Sequence, residues 1–169
     1  MPKRKNEAKM LHRSFDLKRE FINEEKRTVE LAFSSETDKV ERWFGIEILD
    51  HGAGSIRLGR LQNNAPLLMD HDIRDQIGVV ESISIDSDRV ARAVVRFGKS
   101  KRAKEIFMDV VDGIRGKVSV GYMIHSREET DEGTEHKPVY RVKDWEPYEI
   151  SMVSVPADDS VGAGRPAAN

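Results

Sequence analysis

Residues 77–125 read IGVVESISIDSDRVARAVVRFGKSKRAKEIFMDVVDGIRGKVSVGYMIH, and the hydrophobic period changes twice within them. From 77 to 85 and from 89 to 97, apolar and polar residues follow the short period of strands, with the polar Asp86-Ser87-Asp88 between the two runs. That arrangement predicts a hairpin. Over 100–112 the period lengthens: Ala103, Ile106, Phe107, Val110 and Val111 recur at three- and four-residue spacings, which predicts one amphipathic helix. Ser100 can cap its first turn, and Gly113 can end it in the left-handed conformation that glycine adopts freely. From 116 to 125 alternation returns. It places Val118, Val120, Tyr122 and Ile124 on a core face and Ser119, Gly121, Met123 and His125 on the opposite one.

Working outward, residues 28–33 put Val29, Leu31 and Phe33 on one face of another strand, and the Ser34-Ser35 pair suits a turn. Residues 43–49 form a further candidate strand, closed by the flexible Asp50-His51-Gly52-Ala53-Gly54. A polar loop over 126–137 precedes two more strands at 139–142 and 148–155, the last ended by Pro156, which has no N–H for a ladder. About seven strands with one or two surrounding helices predict a mainly β, α+β fold, a partly closed antiparallel β-barrel. Residues 1–27 hold nine Lys/Arg against five Asp/Glu and read as a basic arm, disordered or docking late. The compact domain is expected over 28–160, and the small, unpatterned residues 161–169 read as a flexible tail or linker.

Composition narrows the chemistry. A chain of 169 residues, 38% hydrophobic and 34% charged, supports a single core with a highly charged surface. No run approaches the roughly 18 apolar residues of a membrane-spanning helix, so no membrane partner is expected. The basic start Pro2-Lys3-Arg4-Lys5 leads into no apolar stretch, so a reducing intracellular setting is expected. With no cysteine there is no disulfide, thiolate metal site or thiol nucleophile, and any covalent catalyst must be Ser, Thr or another group. A net charge of −2 gives no reason to expect nucleic acid. Histidines at 12, 51, 71, 125 and 136 show no helical i, i+4 pairing, so no metal and no cofactor are expected.

Three segments carry the reactive groups. In 63–72, an apolar stretch ends in His71 between Asp70 and Asp72, and an imidazole beside carboxylates is suited to general-base work. In 115–124, Ser119 is expected to point out from its strand. Gly121, two residues on, would clear space on the same face for an extended substrate. His125 shares that face, but at ~3.3 Å per residue it lies ~20 Å along an extended strand, out of reach of Ser119. In 148–158, Glu149 and Ser151 alternate with Ile150 and Met152, and a partly buried Glu requires a hydrogen-bonding neighbour.

Together, Asp70-His71-Asp72, Val118-Ser119-Val120-Gly121-Tyr122 and the run from Tyr148 to Ala157 resemble the prohead maturation proteases of tailed bacteriophages, serine peptidases related in fold to the herpesvirus assemblins. The likeness also takes in Trp43-Phe44-Gly45, Ala65-Pro66-Leu67-Leu68 and Val161-Gly162-Ala163-Gly164-Arg165. The resemblance implies an assemblin-like fold and a serine endopeptidase in which His71 is the general base and Ser119 the nucleophile of an acyl-enzyme. Glu149 would be the third member, with Asp144 as the alternative and Asp70 and Asp72 as further competitors. A helix N-terminus or loop amide, such as the turn after Pro156, would supply the oxyanion hole. It further implies cleavage of scaffold, of the delta segment of the major capsid protein and of the protease itself, inside the assembling procapsid in the bacterial host cytoplasm. A homo-oligomer, dimer or higher, is implied as the working form. The chain would then be a processed or truncated protease portion, or part of a capsid fusion. The competing readings are a catalytically silent capsid-assembly or scaffold domain, and a β-barrel peptide-binding module.

Overall fold

The computed structural model describes residues 10–155. In chain order its elements are β1 (Leu11–Asp16), β2 (Ile22–Asn23), β3 (Thr28–Ser35), β4 (Lys39–Arg42), β5 (Gly45–Leu49), α1 (Gly59–Gln62), β6 (Pro66–Met69), β7 (Asp72–Ile85), β8 (Val90–Phe97), α2 (Lys101–Val111), β9 (Lys117–Glu129) and β10 (Val139–Met152). The main path of the sheet runs β1-β9-β10-β6-β7-β8-β3-β2. β1, at one end of that order, also packs against β3 near the other end, so the sheet curls into a half-barrel. The mainly β, partly closed fold expected from the sequence is what the chain adopts.

The predicted hairpin and helix are both present. β7 and β8 pair antiparallel from Gly78↔Phe97 to Ile85↔Ala91. α2 starts where the Ser100 hydroxyl accepts the Ala103 N–H, and it buries Ala103, Ile106, Phe107 and Val110. Gly113 follows it with φ +77°, the left-handed value anticipated there. Val29, Leu31 and Phe33 of β3 and Val118, Val120 and Tyr122 of β9 meet in one core.

Several expectations are corrected. The strand expected over 43–49 begins only at Gly45: Trp43 and Phe44 form the turn between β4 and β5, and Trp43 is 85% exposed. β4 itself, Lys-Val-Glu-Arg, is too short and charged to carry an alternation signal. The strands expected at 139–142 and 148–155 are one, β10, and the loop expected over 126–137 begins later because β9 runs to Glu129. The signal broke because β10 carries an extra residue at two register shifts, Lys143 between Val142 and Asp144 and Tyr148 between Pro147 and Glu149; at a third shift, between Asp144 and Trp145, the extra residue is His125 of β9. Each bulge changes which face the following residues take. These elements bring the strand count among the described residues to ten. The sheet is also not wholly antiparallel. One side of β10 pairs with β9, and the other pairs in parallel with β5 at Val139–Val142 and with β6 at Ile150–Met152.

Of the two states expected for the basic arm over 1–27, its described part takes the docked one. Residues 11–16 are paired along β9, from Leu11↔Tyr122 to Asp16↔Lys117. Arg13 is buried there: its Nη2 lies 2.8 Å from Glu47 Oε2, and its Nη1 donates to the Asp38 carbonyl at 2.9 Å. The Tyr122 hydroxyl donates to Glu47 and accepts from Arg42 at 2.7 Å. Burial works against the Arg13 charge, but Tyr122 and Glu47 outweigh it and hold the guanidinium above its ordinary value. Burial also pushes the Tyr122 phenol well up. A positive residue counted as surface charge from sequence is thus an internal cross-link. The tail expected over 161–169 lies outside the described residues.

Candidate active site

β9 lies between β1 and β10, and the two registers place residues in rows across the sheet. One row is Ser14, Ser119, Ser151; the next is His12, Gly121, Glu149. Rows two residues apart along a strand share a face. Ser119 and Glu149 therefore come from adjacent strands onto one side of the sheet.

His71 reaches that side from a turn. β6 and β7 pair as Met69↔Asp72, leaving Asp70 and His71 as a two-residue loop with φ of +50° and +58°. Positive φ at both central residues is the signature of the type I′ hairpin turn, whose twist matches that of the strands. The left-handed conformation costs an L-residue roughly 1–2 kcal/mol, so the turn is held by its neighbours. The Asp70 N–H donates to the Met152 carbonyl at 2.8 Å, and the Asp70 carboxylate accepts the Ser154 N–H at 2.8 Å. The His71 N–H donates to Ser151 Oγ at 3.1 Å.

Both edges of the His71 ring are engaged. Nε2 lies 2.8 Å from Ser119 Oγ, and Nδ1 is hydrogen-bonded to Glu149 Oε1. A carboxylate only accepts, so Nδ1 carries the proton and the Nε2 lone pair receives the Ser119 O–H. The second carboxylate oxygen of Glu149 accepts from the Ser151 hydroxyl at 2.8 Å. Ser151 thus ties the carboxylate to the turn that carries His71. Glycine at 121 is required by this geometry, because a Cβ there would lie 2.5 Å from Glu149 Oε1. The space expected above Gly121 for substrate is filled by the Glu149 side chain.

Of the four carboxylates weighed for the third position, only Glu149 is bonded to the His71 ring. Asp144 makes a two-pronged pair with Arg57, at 2.7 Å on both oxygens, and that guanidinium holds its carboxyl below the usual range. Asp72 is held below the usual range by the Arg74 side chain, and Asp70 is spent on the Ser154 amide. His125 pairs with Glu146 at 3.0 Å. Ser119 differs from expectation in one respect: it is 0% exposed rather than presented outward, since β1 covers its strand on one side and the His71 turn closes over it. The turn after Pro156 lies outside the described residues.

Two contributors escaped the sequence reading. Ser151 was legible as a hydroxyl on the face of Glu149, two residues on, but its bond to the turn was not. His12 was hidden altogether, since its segment reads as an arm; in the fold its ring stacks on His71, centroids 3.8 Å apart. One nitrogen or oxygen atom of each of His12, His71 and Glu149 lies within 4.8 Å of the others, a grouping that no histidine spacing in the chain reveals. With Nδ1 facing Glu149 and Nε2 facing Ser119, however, His71 has no lone pair left for an ion.

Comparison with known proteins speaks to the family and the fold. A family model described as caudovirus prohead serine protease matches residues 21–163. The major capsid protein of Halomonas phage phiHAP-1 is 52% identical over 133 residues, 75% of this chain but 21% of that protein, so the chain spans about a fifth of its length. The capsid assembly protease of bacteriophage T4 has a TM-score of 0.58 at 12% identity, over 89% of this chain and 100% of that one. At that identity the likeness is one of fold, and it bears out the expected assemblin-like architecture.

Proposed function

Because the chain belongs to the caudovirus prohead serine protease family, we propose that it is a maturation endopeptidase acting through Ser119, His71 and Glu149. One observation carries this reading: an unbroken path of hydrogen bonds from Ser119 Oγ through both ring nitrogens of His71 to the Glu149 carboxylate. Ser119 Oγ attacks the scissile carbonyl while its proton passes to His71 Nε2. Glu149 faces the Nδ1–H and stabilises the imidazolium that forms. His71 then protonates the departing amine, leaving an ester on Ser119. Water, deprotonated by the same imidazole, attacks the ester and releases the acid product. Glu149 is preferred to Asp144 for the third role because Asp144 is already neutralised by Arg57.

The substrates we propose are scaffold, the delta segment of the major capsid protein and the protease itself, cut inside the assembling procapsid in the host cytoplasm. The capsid-protein relative supports the association of this domain with the shell. No helix of the described residues is long and apolar enough to cross a membrane. A serine-reactive phosphonate is expected to form an adduct that Ser119→Ala abolishes. If assembled and dilute protein both fail to give a Ser119-dependent adduct, a catalytically silent assembly domain replaces this reading.

A further inference from the structure

We infer that His12 is a positioning residue of the active site, holding the His71 ring in its working orientation by stacking on its face; this rests on the assignment of His71 as general base. The two rings are nearly parallel, with an interplanar angle of 20° and centroids 3.8 Å apart. That separation is van der Waals contact across the ring face. The other constraints on His71 act at its edges, Glu149 on Nδ1 and Ser119 on Nε2. Hydrogen bonds at two edges leave the ring able to tip or to exchange partners by rotation about its side-chain torsions, whereas a flat neighbour on one face opposes both. The need arises because His71 sits at the tip of a two-residue turn, between β6 and β7 rather than within either strand.

The sequence delivers His12 to this place through its neighbour. Successive side chains of a strand point to opposite faces, so Arg13 enters the interior, where it is fixed to Glu47, while His12 turns to the side of Gly121 and Glu149. The absence of a Cβ at Gly121 gives room for the Glu149 side chain on the other flank of that row. His12 lies on β1, before residue 21 where the family match begins. The N-terminal strand therefore completes a site whose three reacting residues all lie within that match.

Full-length wild type, His12→Ala, His12→Gln, His12→Phe and Ser119→Ala are reacted with a fluorophosphonate, and the Ser119 adduct is timed by intact mass. The His71 tautomer is read separately from long-range 1H–15N spectra of unreacted protein. The ring-removing Ala and Gln variants are expected to slow adduct formation about tenfold, less than the roughly 100-fold of a full ångström's misplacement because both hydrogen bonds to the ring remain, with unchanged circular dichroism. They are expected to show mixed Nδ1–H and Nε2–H tautomers of His71. Phe, which restores a flat ring, is expected to return the rate to within about threefold of wild type and to restore the single Nδ1–H form. Ala and Gln variants with wild-type rate and tautomer overturn the inference, as does a Phe variant as slow and as mixed as Ala. The tautomer decides on His12 even if wild type forms no Ser119 adduct, an outcome that removes the catalytic reading instead.

Discussion

Glu149 meets the His71 ring because position 121 carries no side chain, and this small fact governs the residue-scale behaviour of the site. Gly121→Ala would place a methyl group 2.5 Å from the Glu149 carboxylate oxygen, closer than non-bonded atoms approach, so the carboxylate must leave its place. The expected result is a loss of peptidase activity of about 100-fold or more, as for misplaced catalytic groups, with a destabilisation of about 1–3 kcal/mol, read by parallel kinetics and thermal melts. Normal turnover in this variant would show that contact between Glu149 and His71 is dispensable. Glu149→Gln keeps the shape but offers the ring an amide in place of a carboxylate, so His71 loses its tautomer preference. A fall in kcat of about 10³–10⁴ is expected, while Asp144→Asn, which disturbs a pair with Arg57, should stay within about twofold. Equal loss in both variants would place the third role elsewhere.

At the scale of elements, β1 is bound into the molecule by a buried charge as well as by Leu11 in the core and its ladder with β9. Arg13→Met leaves Glu47 without its closest cation in a fully buried position. Removing one partner of such a pair costs about 3–5 kcal/mol, because the remaining charge is stranded away from water. The urea midpoint should fall accordingly; an unfolding free energy unchanged within about 0.5 kcal/mol would mean that Glu47 is satisfied by Arg42 and Tyr122 alone. The same elements show what was legible beforehand. α2 and the β7–β8 hairpin were readable because their hydrophobic periods run unbroken and their ends carry Ser100, Gly113 and the Asp86-Ser87-Asp88 turn. β10 was read as two strands because two bulges, at Lys143 and Tyr148, scramble its alternation. β1 was read as an arm because its buried arginine and half-buried histidine carry the residue types of a solvated surface.

For the whole molecule, the consequence is a closed site. Ser119 has no exposed surface, so a peptide carbonyl reaches its hydroxyl only when a covering element shifts. If copies associate, as the proposed function implies, their packing is expected to favour that shift, so cleavage per molecule should rise with protein concentration. Rates strictly proportional to enzyme down to dilute monomer would remove this expectation. The sequence by itself determined the elements whose periods are local and unbroken. It also offered Ser119, His71 and Glu149 as candidates, since residue types are written in the chain and their order resembles a known set. Tertiary structure decided which carboxylate meets the imidazole, that Gly121 makes room for it, that Ser151 ties it to the turn, and that His12 covers the ring. Those outcomes depend on strand register and on a left-handed turn across 48 to 80 residues of chain, or on an N-terminal strand anchored through a buried ion pair. Such contacts are set by long-range packing, and no local pattern of residues encodes them.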